Sequence, residues 1–299
     1  MKYFDLHCDT LCRVADENGN LYENSFDIDL KRLSKFEKAT QTFACFIDDK
    51  FKGEEAYNRF FKLYEIYKNT DFGNVTPILS IENLSCINGN IENIHNFKEL
   101  GVKIASLTWN GENGIAGGVN SESGLTDFGK EVVKQLENEN ITLDVSHLNK
   151  KSFYDVCKTA TKPFIATHSN SFTVCPHKRN LSDEQFEIIC DIGGVVGINF
   201  YNKFLCENET DFTDLFNHIE RFLLLGGENS ISLGSDFDGC DIHKSIKKVE
   251  NMPIFYEFLV KNLGKSIAEK IFYKNSALFF KMLWQIALNS IKYHLTRKM

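Results

Sequence analysis

Residues Met1 to Asp9 read M-K-Y-F-D-L-H-C-D, a short extended pattern ending on a histidine and a carboxylate two positions apart. Successive strand side chains point to opposite faces, so His7 and Asp9 share one. An imidazole and a carboxylate on one rigid face can bind a divalent transition metal. An isolated H-x-D is more often a solvated histidine followed by a helix-capping aspartate, so the reading depends on the rest of the chain. Four later apolar runs end in residues of the same kind: T-P-I-L-S-I at Glu82, I-T-L-D-V-S at His147, P-F-I-A-T at His168 and S-I-S-L-G-S at Asp236. Each alone has a plain alternative. Glu82 could cap the next helix, His147 could bond a backbone carbonyl, and Asp236 or Asp238 of D-F-D-G could form an Asx-turn. Three histidines and three carboxylates around one cavity are costly to bury unless they hold metal or pair with one another. Their joint placement at strand ends favours a metal site. Six such groups exceed the three protein ligands of a typical mononuclear catalytic zinc. Two metals sharing one carboxylate would use them all, and ions about 3.5–4 Å apart can bridge and activate a hydroxide. The chemistry this suggests is hydrolysis of an amide, ester or phosphoester.

Eight apolar runs must position these residues: Tyr3–Cys8, Thr42–Ile47, Thr76–Ile81, Val102–Thr108, Ile141–Ser146, Pro163–Thr167, Gly194–Phe200 and Ser230–Ser235. Helical patterns separate them, at Glu54–Asn69, Ile91–Leu100, Asp127–Glu139, Lys150–Ala160 and Phe212–Leu225, with S-D-E-Q at Ser182 as a capping box for another. Strands buried on both faces read as continuous apolar runs, as these do. The alternation predicts one α/β domain spanning residues 1–299, a single (β/α)8 barrel of the TIM type. In such a barrel the C-terminal strand ends ring the active-site mouth. A doubly wound open sheet is the runner-up, but no Gly-rich phosphate loop follows the first strand, and Gly117-Gly118 opens no helix. Residues 111–124 and 169–181 read as long polar loops, a length usually tied to function. A helical extension is expected over about 276–299. Its apolar stripe of Phe279, Leu283, Ile286 and Leu288 through Ile291 would pack on the barrel or on a second subunit in a homodimer.

The 299 residues carry a net charge of −7, with 42% hydrophobic and 25% charged residues. That balance provides for a full core and argues against nucleic acid or an anionic membrane surface as the main partner. Nine cysteines are scattered without C-x-x-C, which reads as reduced thiols and a cytoplasmic protein. No secretory signal is visible, and no apolar run reaches the ~18 residues of a membrane span.

Taken in order over about Tyr3 to Met282, the motifs are D-L-H-C-D, the Glu82 strand end, L-T-W-N, G-L-T-D-F-G, D-V-S-H, T-H-S-N, K-R-N-L-S-D, I-N-F-Y-N and G-S-D-F-D-G. The ordered set resembles the membrane (renal) dipeptidase family, peptidase family M19, a branch of the amidohydrolase-like metal-dependent hydrolases. The resemblance implies a zinc metallo-dipeptidase with two Zn2+ per chain, cleaving dipeptides through a metal-bridging hydroxide. It assigns His7 and Asp9 to the first zinc, Glu82 to both, and His147 and His168 to the second. Arg179 would hold the substrate's C-terminal carboxylate, which suits its planar fork of donors. Asp236 would handle the proton of the attacking water, and Tyr201 would lie beside the substrate. Two departures stand out. The family's L-T-H reads L-T-W here, placing Trp109 where a histidine would stabilise the oxyanion; losing one such donor can cost ~10²–10³ in rate. Asn83-Leu84 replaces the usual Gly-Gly after the glutamate. Two other readings stay open: a phosphoesterase of the histidinol-phosphatase type, whose barrels also begin D-L-H, and a metal-holding relative with little turnover because of Trp109.

Overall fold

The computed structural model describes residues 1–206 and 211–282. Its centre is a parallel sheet of seven strands: β1 Lys2–Asp5, β2 Lys38–Phe46, β3 Val75–Glu82, β4 Val102–Ser106, β5 Thr142–Asp144, β6 Val196–Ile198 and β7 Ile231–Leu233. The order β5-β4-β3-β2-β1-β7-β6 leaves β5 and β6 as formal edges. The expected strand over Pro163–Thr167 fills that gap by two parallel bridges, Asp144 to Ile165 and Ala166 to Val196. Eight extended segments therefore close a ring, with helices between them, and the architecture is the TIM-type α/β barrel.

The 163–167 segment is not a full strand, for a local reason. Its neighbour's side chains take the donors that would extend the ladder: Thr167 N–H goes to Asp144 Oδ1 (3.0 Å) and His168 N–H to Ser146 Oγ (3.2 Å). The same substitution shortens the last two strands. Asn199 N–H donates to Asn170 Oδ1 (2.9 Å) and Ser235 N–H to Asp5 Oδ1 (2.8 Å). Polar side chains thus replace sheet bonding where the barrel turns into its mouth.

Helices Gly53–Lys68, Glu92–Glu99, Asp127–Asn138, Lys150–Thr159 and Phe212–Leu224 fall within one or two residues of expectation. Ser182 forms the capping box with Gln185 that the sequence calls for. After Lys265–Glu269 the chain passes through a π-turn, Lys270–Lys274, and is helical again to residue 282. Phe279 and Phe280 from that last helix are buried with Phe4, Leu6, Ile78, Ile104, Ile165 and Val195. Phe280 stacks on Phe4 with ring centroids 5.7 Å apart. The helix therefore plugs the end of the barrel where the strands begin. The rest of the expected tail stripe, from Leu283 onward, lies outside the described residues. Among the described residues, no helix is long and apolar enough to cross a membrane.

Candidate active site

At the opposite end lies a cleft of about 1070 Å³ lined by residues from the C-terminal strand ends and the loops after them, including Asp9, Glu82, Trp109, His147, Arg179, Tyr201 and Asp236. His7 and His168 lie buried against the lining residue Glu82, with ring centroids 3.9 Å apart. Every residue singled out in the sequence is thus brought to one place.

The contacts divide into two halves joined by Glu82. His7 Nε2 lies 3.3 Å from Asp9 Oδ2, 3.3 Å from Glu82 Oε2 and 3.9 Å from Asp236 Oδ1. The other oxygen of Glu82, Oε1, is 2.7 Å from His147 Nε2 and 3.9 Å from His168 Nε2. The groups His7–Glu82–His168 and His7–Asp9–Asp236 each bring three ligand atoms within 4.8 Å of one another.

Outer hydrogen bonds fix which nitrogen of each histidine faces inward. Asn110 Oδ1 lies 3.0 Å from His147 Nδ1 and can only accept, so Nδ1 carries the proton and Nε2 a lone pair. Thr167 Oγ1 donates to Asp144 Oδ2 (2.6 Å) and so accepts from His168 Nδ1 at 2.8 Å, which again leaves Nε2 bare. The two Nε2 atoms are then 2.9 Å apart with lone pairs facing. That contact is repulsive unless a cation lies against both. Asp9 Oδ1 is buried without a hydrogen-bond partner. A Cβ on Gly239 would meet Asp9 Oδ2 at 2.1 Å and Asp236 Oδ1 at 2.6 Å, so only glycine leaves these carboxylates in place. The donor set, the bare nitrogens and the orphaned oxygen fit divalent metal.

The electrostatics agree. Burial pushes His147 down to about 4, with the Arg179 charge adding to it. Burial also holds His168 well below its ordinary value, helped by His7 and His147. Neutral imidazole is the ligating form. Burial would also lower His7, but the Glu82 and Asp9 carboxylates outweigh it and hold that imidazole well above its ordinary value. Glu82 is opposed by burial, yet His147 and His7 hold it well below the usual carboxylate range. Burial raises Asp236 to about 7; His7 opposes the shift, while Asp9 and Glu82 add to it.

The structure also settles the bland alternatives. Asn83, not Glu82, caps the following turn, its side chain accepting from Ser85 N–H. Asp238 is structural: it accepts from Thr10 Oγ1 (2.6 Å) and Asp27 N–H (2.7 Å), tying the first helix to the loop after β7. The sequence reading missed the supporting residues Asn110, Asp144, Thr167, Asn199 and Gly239. Asn199 Nδ2 holds Asp236 Oδ2 at 3.0 Å. Position was the available signal: Asp144 precedes His147 by three residues, and Thr167 and Asn110 adjoin His168 and Trp109. Trp109 packs edge-on against Phe46 (5.1 Å between centroids) and lies 6.3 Å from the His147 ring. Arg179, only 5% exposed, rests over the Phe204 ring at 5.4 Å. Its Nε is buried without a partner.

Comparison with known proteins gives one consistent result. Residues 62–292 match the family described as membrane dipeptidase (peptidase family M19). An uncharacterized protein in the pqqA 5′ region of Klebsiella pneumoniae is 33% identical over 222 residues, covering 70% of this chain and 82% of the relative. An uncharacterized dipeptidase of Schizosaccharomyces pombe is 27% identical over 66% of this chain, which spans only 49% of that relative's length. The crystal structure of the dipeptidase AC, a metallopeptidase of family M19, superposes with a TM-score of 0.86 at 25% identity, covering 95% of this chain and 98% of the other. His7 and Asp9 lie ahead of the family match, and the fold brings them to it.

Proposed function

The chain belongs to the membrane dipeptidase family, peptidase family M19, and is a hydrolase of that family; from that premise we propose that it hydrolyses dipeptides with a free C-terminal carboxylate at a two-zinc centre. The observation that carries the reading is the divided carboxylate of Glu82, one oxygen 3.3 Å from His7 and the other 2.7 Å from His147. His7 and Asp9 would hold one metal, His147 and His168 the other, and Glu82 both. When bound, the metal pair supplies a Lewis acid for the scissile carbonyl and acidifies the attacking water.

The remaining chemistry belongs to this chain's own side chains. Arg179 is buried with an unpaired Nε, and a substrate carboxylate would satisfy it. Burial draws its guanidinium down to about 10, so it stays cationic at neutral pH. Asp236, whose Oδ2 is held by Asn199 Nδ2 at 3.0 Å beside the ligand cluster, would take the proton of the attacking water and deliver it to the leaving amine. Tyr201 and Trp109 form walls that exclude water and fix the peptide's orientation. The nine cysteines are scattered without C-x-x-C, a pattern that supports the cytoplasm as the compartment.

The test compares free dipeptides, their C-terminal amides and simple phosphoesters on the zinc-loaded protein. Free dipeptides are expected to be turned over fastest. Arg179→Met should raise KM for the free acids by roughly tenfold to a hundredfold, as loss of a charged hydrogen bond does, with much less effect on the amides. Equal effects on both would remove Arg179 from the carboxylate site. Turnover of phosphoesters alone would replace the dipeptidase reading with a phosphoesterase.

A further inference from the structure

The cleft is lined by seven lysine and arginine side chains, and they are unequally partnered. Four have carboxylates: Arg13 with Glu17 (2.5 Å), Arg59 with Asp16 (2.7 Å), Lys50 with Asp48 (3.1 Å) and Lys247 with Asp27 (4.0 Å). The other three, Lys178, Arg179 and Lys203, have no carboxylate within ion-pair distance among the described residues. Lys178 reaches the neutral Asn120 Oδ1, Arg179 a backbone carbonyl at 3.5 Å, and Lys203 the Tyr201 ring at 5.9 Å.

These three cations form one wall. Phe204 is its platform: Arg179 lies over that ring, His177 packs on it at 4.5 Å and Tyr201 meets it edge-on at 4.7 Å. Their closeness shows in His177, which burial pushes down and the charges of Arg179, Lys178 and Lys203 push down further. One carboxylate can neutralise Arg179, but a single α-carboxylate leaves two lysines beside it without a carboxylate among the described residues. A like-charged wall left uncompensated repels itself, and an added anion relieves that repulsion. Asp236, Glu82 and Asp9 line the same cleft, so an acidic side chain set beside them would meet carboxylates.

Resting on the dipeptidase reading, we infer that this site selects dipeptides whose C-terminal residue carries an acidic side chain, Arg179 taking the α-carboxylate and Lys178 with Lys203 the side-chain carboxylate. Ala-Asp against Ala-Asn, and Ala-Glu against Ala-Gln, test this, because each pair differs in charge at nearly constant shape. The acid should exceed its amide by roughly threefold or more in kcat/KM, the scale two exposed ion pairs supply. In the Lys178→Gln/Lys203→Gln protein that ratio should collapse toward one. Both lysines are exposed, so the double variant is expected to fold, which circular dichroism verifies. A ratio near one in the unaltered protein overturns the inference, showing two solvated lysines and nothing more. A high ratio that survives the double substitution overturns the assignment to these residues. Failure of the underlying reading looks different: Ala-Ala, Ala-Asn and Ala-Asp would all go uncleaved. Affinity then decides, by calorimetry of Ala-Asp and Ala-Asn on the Asp236→Asn protein with and without both lysines. Tighter binding of Ala-Asp that depends on the lysines supports the acidic subsite, and equal binding rejects it.

Discussion

At the scale of single residues, Trp109 is where resemblance and geometry part. An indole offers one N–H donor and cannot become cationic, whereas a histidine there could donate and carry charge as the carbonyl oxygen turns negative. The ring is held by Phe46 and stands 6.3 Å from the ligand-type His147, so it shapes the pocket wall without joining the cluster. Trp109→His is expected to raise dipeptide turnover about tenfold, or about 1.4 kcal/mol of barrier, with zinc content unchanged. Steady-state kinetics beside metal analysis checks this; a fall in turnover would show that Trp109 is tuned to its own substrate. The six ligand-type residues were legible because they sit at the ends of five apolar runs. Their supports were not: Asn110 and Asn199 read as ordinary loop polars, and only the folded chain aims Asn110 at His147 and Asn199 at Asp236.

At the scale of elements, His218 joins parts of the site without touching substrate. It sits on the Phe212–Leu224 helix, accepts from Ser171 N–H at 3.1 Å, and donates from Nε2 to Leu205 carbonyl oxygen at 2.9 Å. It thereby pins the loop carrying Arg179 to the segment carrying Tyr201. Burial lowers its imidazole from 6.5 to about 4. The unfolded chain binds this proton first, so stability from neutral His218 is full above pH 6.5 and is lost as pH falls toward about 4. His218→Gln should lower the Tm at neutral pH and make its fall between those pH values shallower than in the unaltered protein. Parallel slopes in scanning calorimetry would show that His218 does not titrate with folding. Element boundaries explain what sequence could and could not give. Helix ends such as Ser182 follow local capping chemistry and were readable. The ends of the strands near Ala166, Ile198 and Leu233 were not, because Asp144, Asn170 and Asp5 come from distant positions to take the ladder's donors.

At the scale of the whole molecule, the barrel works as a clamp with a sealed base and an open, charged mouth. The base depends on the last described helix, whose Phe280 is 2% exposed against Phe4 while its neighbour Leu278 is 58% exposed. Phe280→Ala should cost about 3–5 kcal/mol, as loss of a buried phenyl does. Leu278→Ala should change stability by less than about 0.5 kcal/mol. Denaturant unfolding that found the two alike would place the plug elsewhere. We propose one folding unit for the chain, so a single calorimetric transition is expected. The mouth carries the central claim, that residues from four separated strand ends hold two metals in one dipeptidase site, with Asp236 on a fifth. Its most direct test is stepwise addition of Zn2+ to chelator-treated protein while dipeptide hydrolysis is followed. The account predicts activity that climbs to a break at two equivalents per chain. A break at one equivalent with full turnover, or two bound ions with no hydrolysis of any dipeptide, would contradict it.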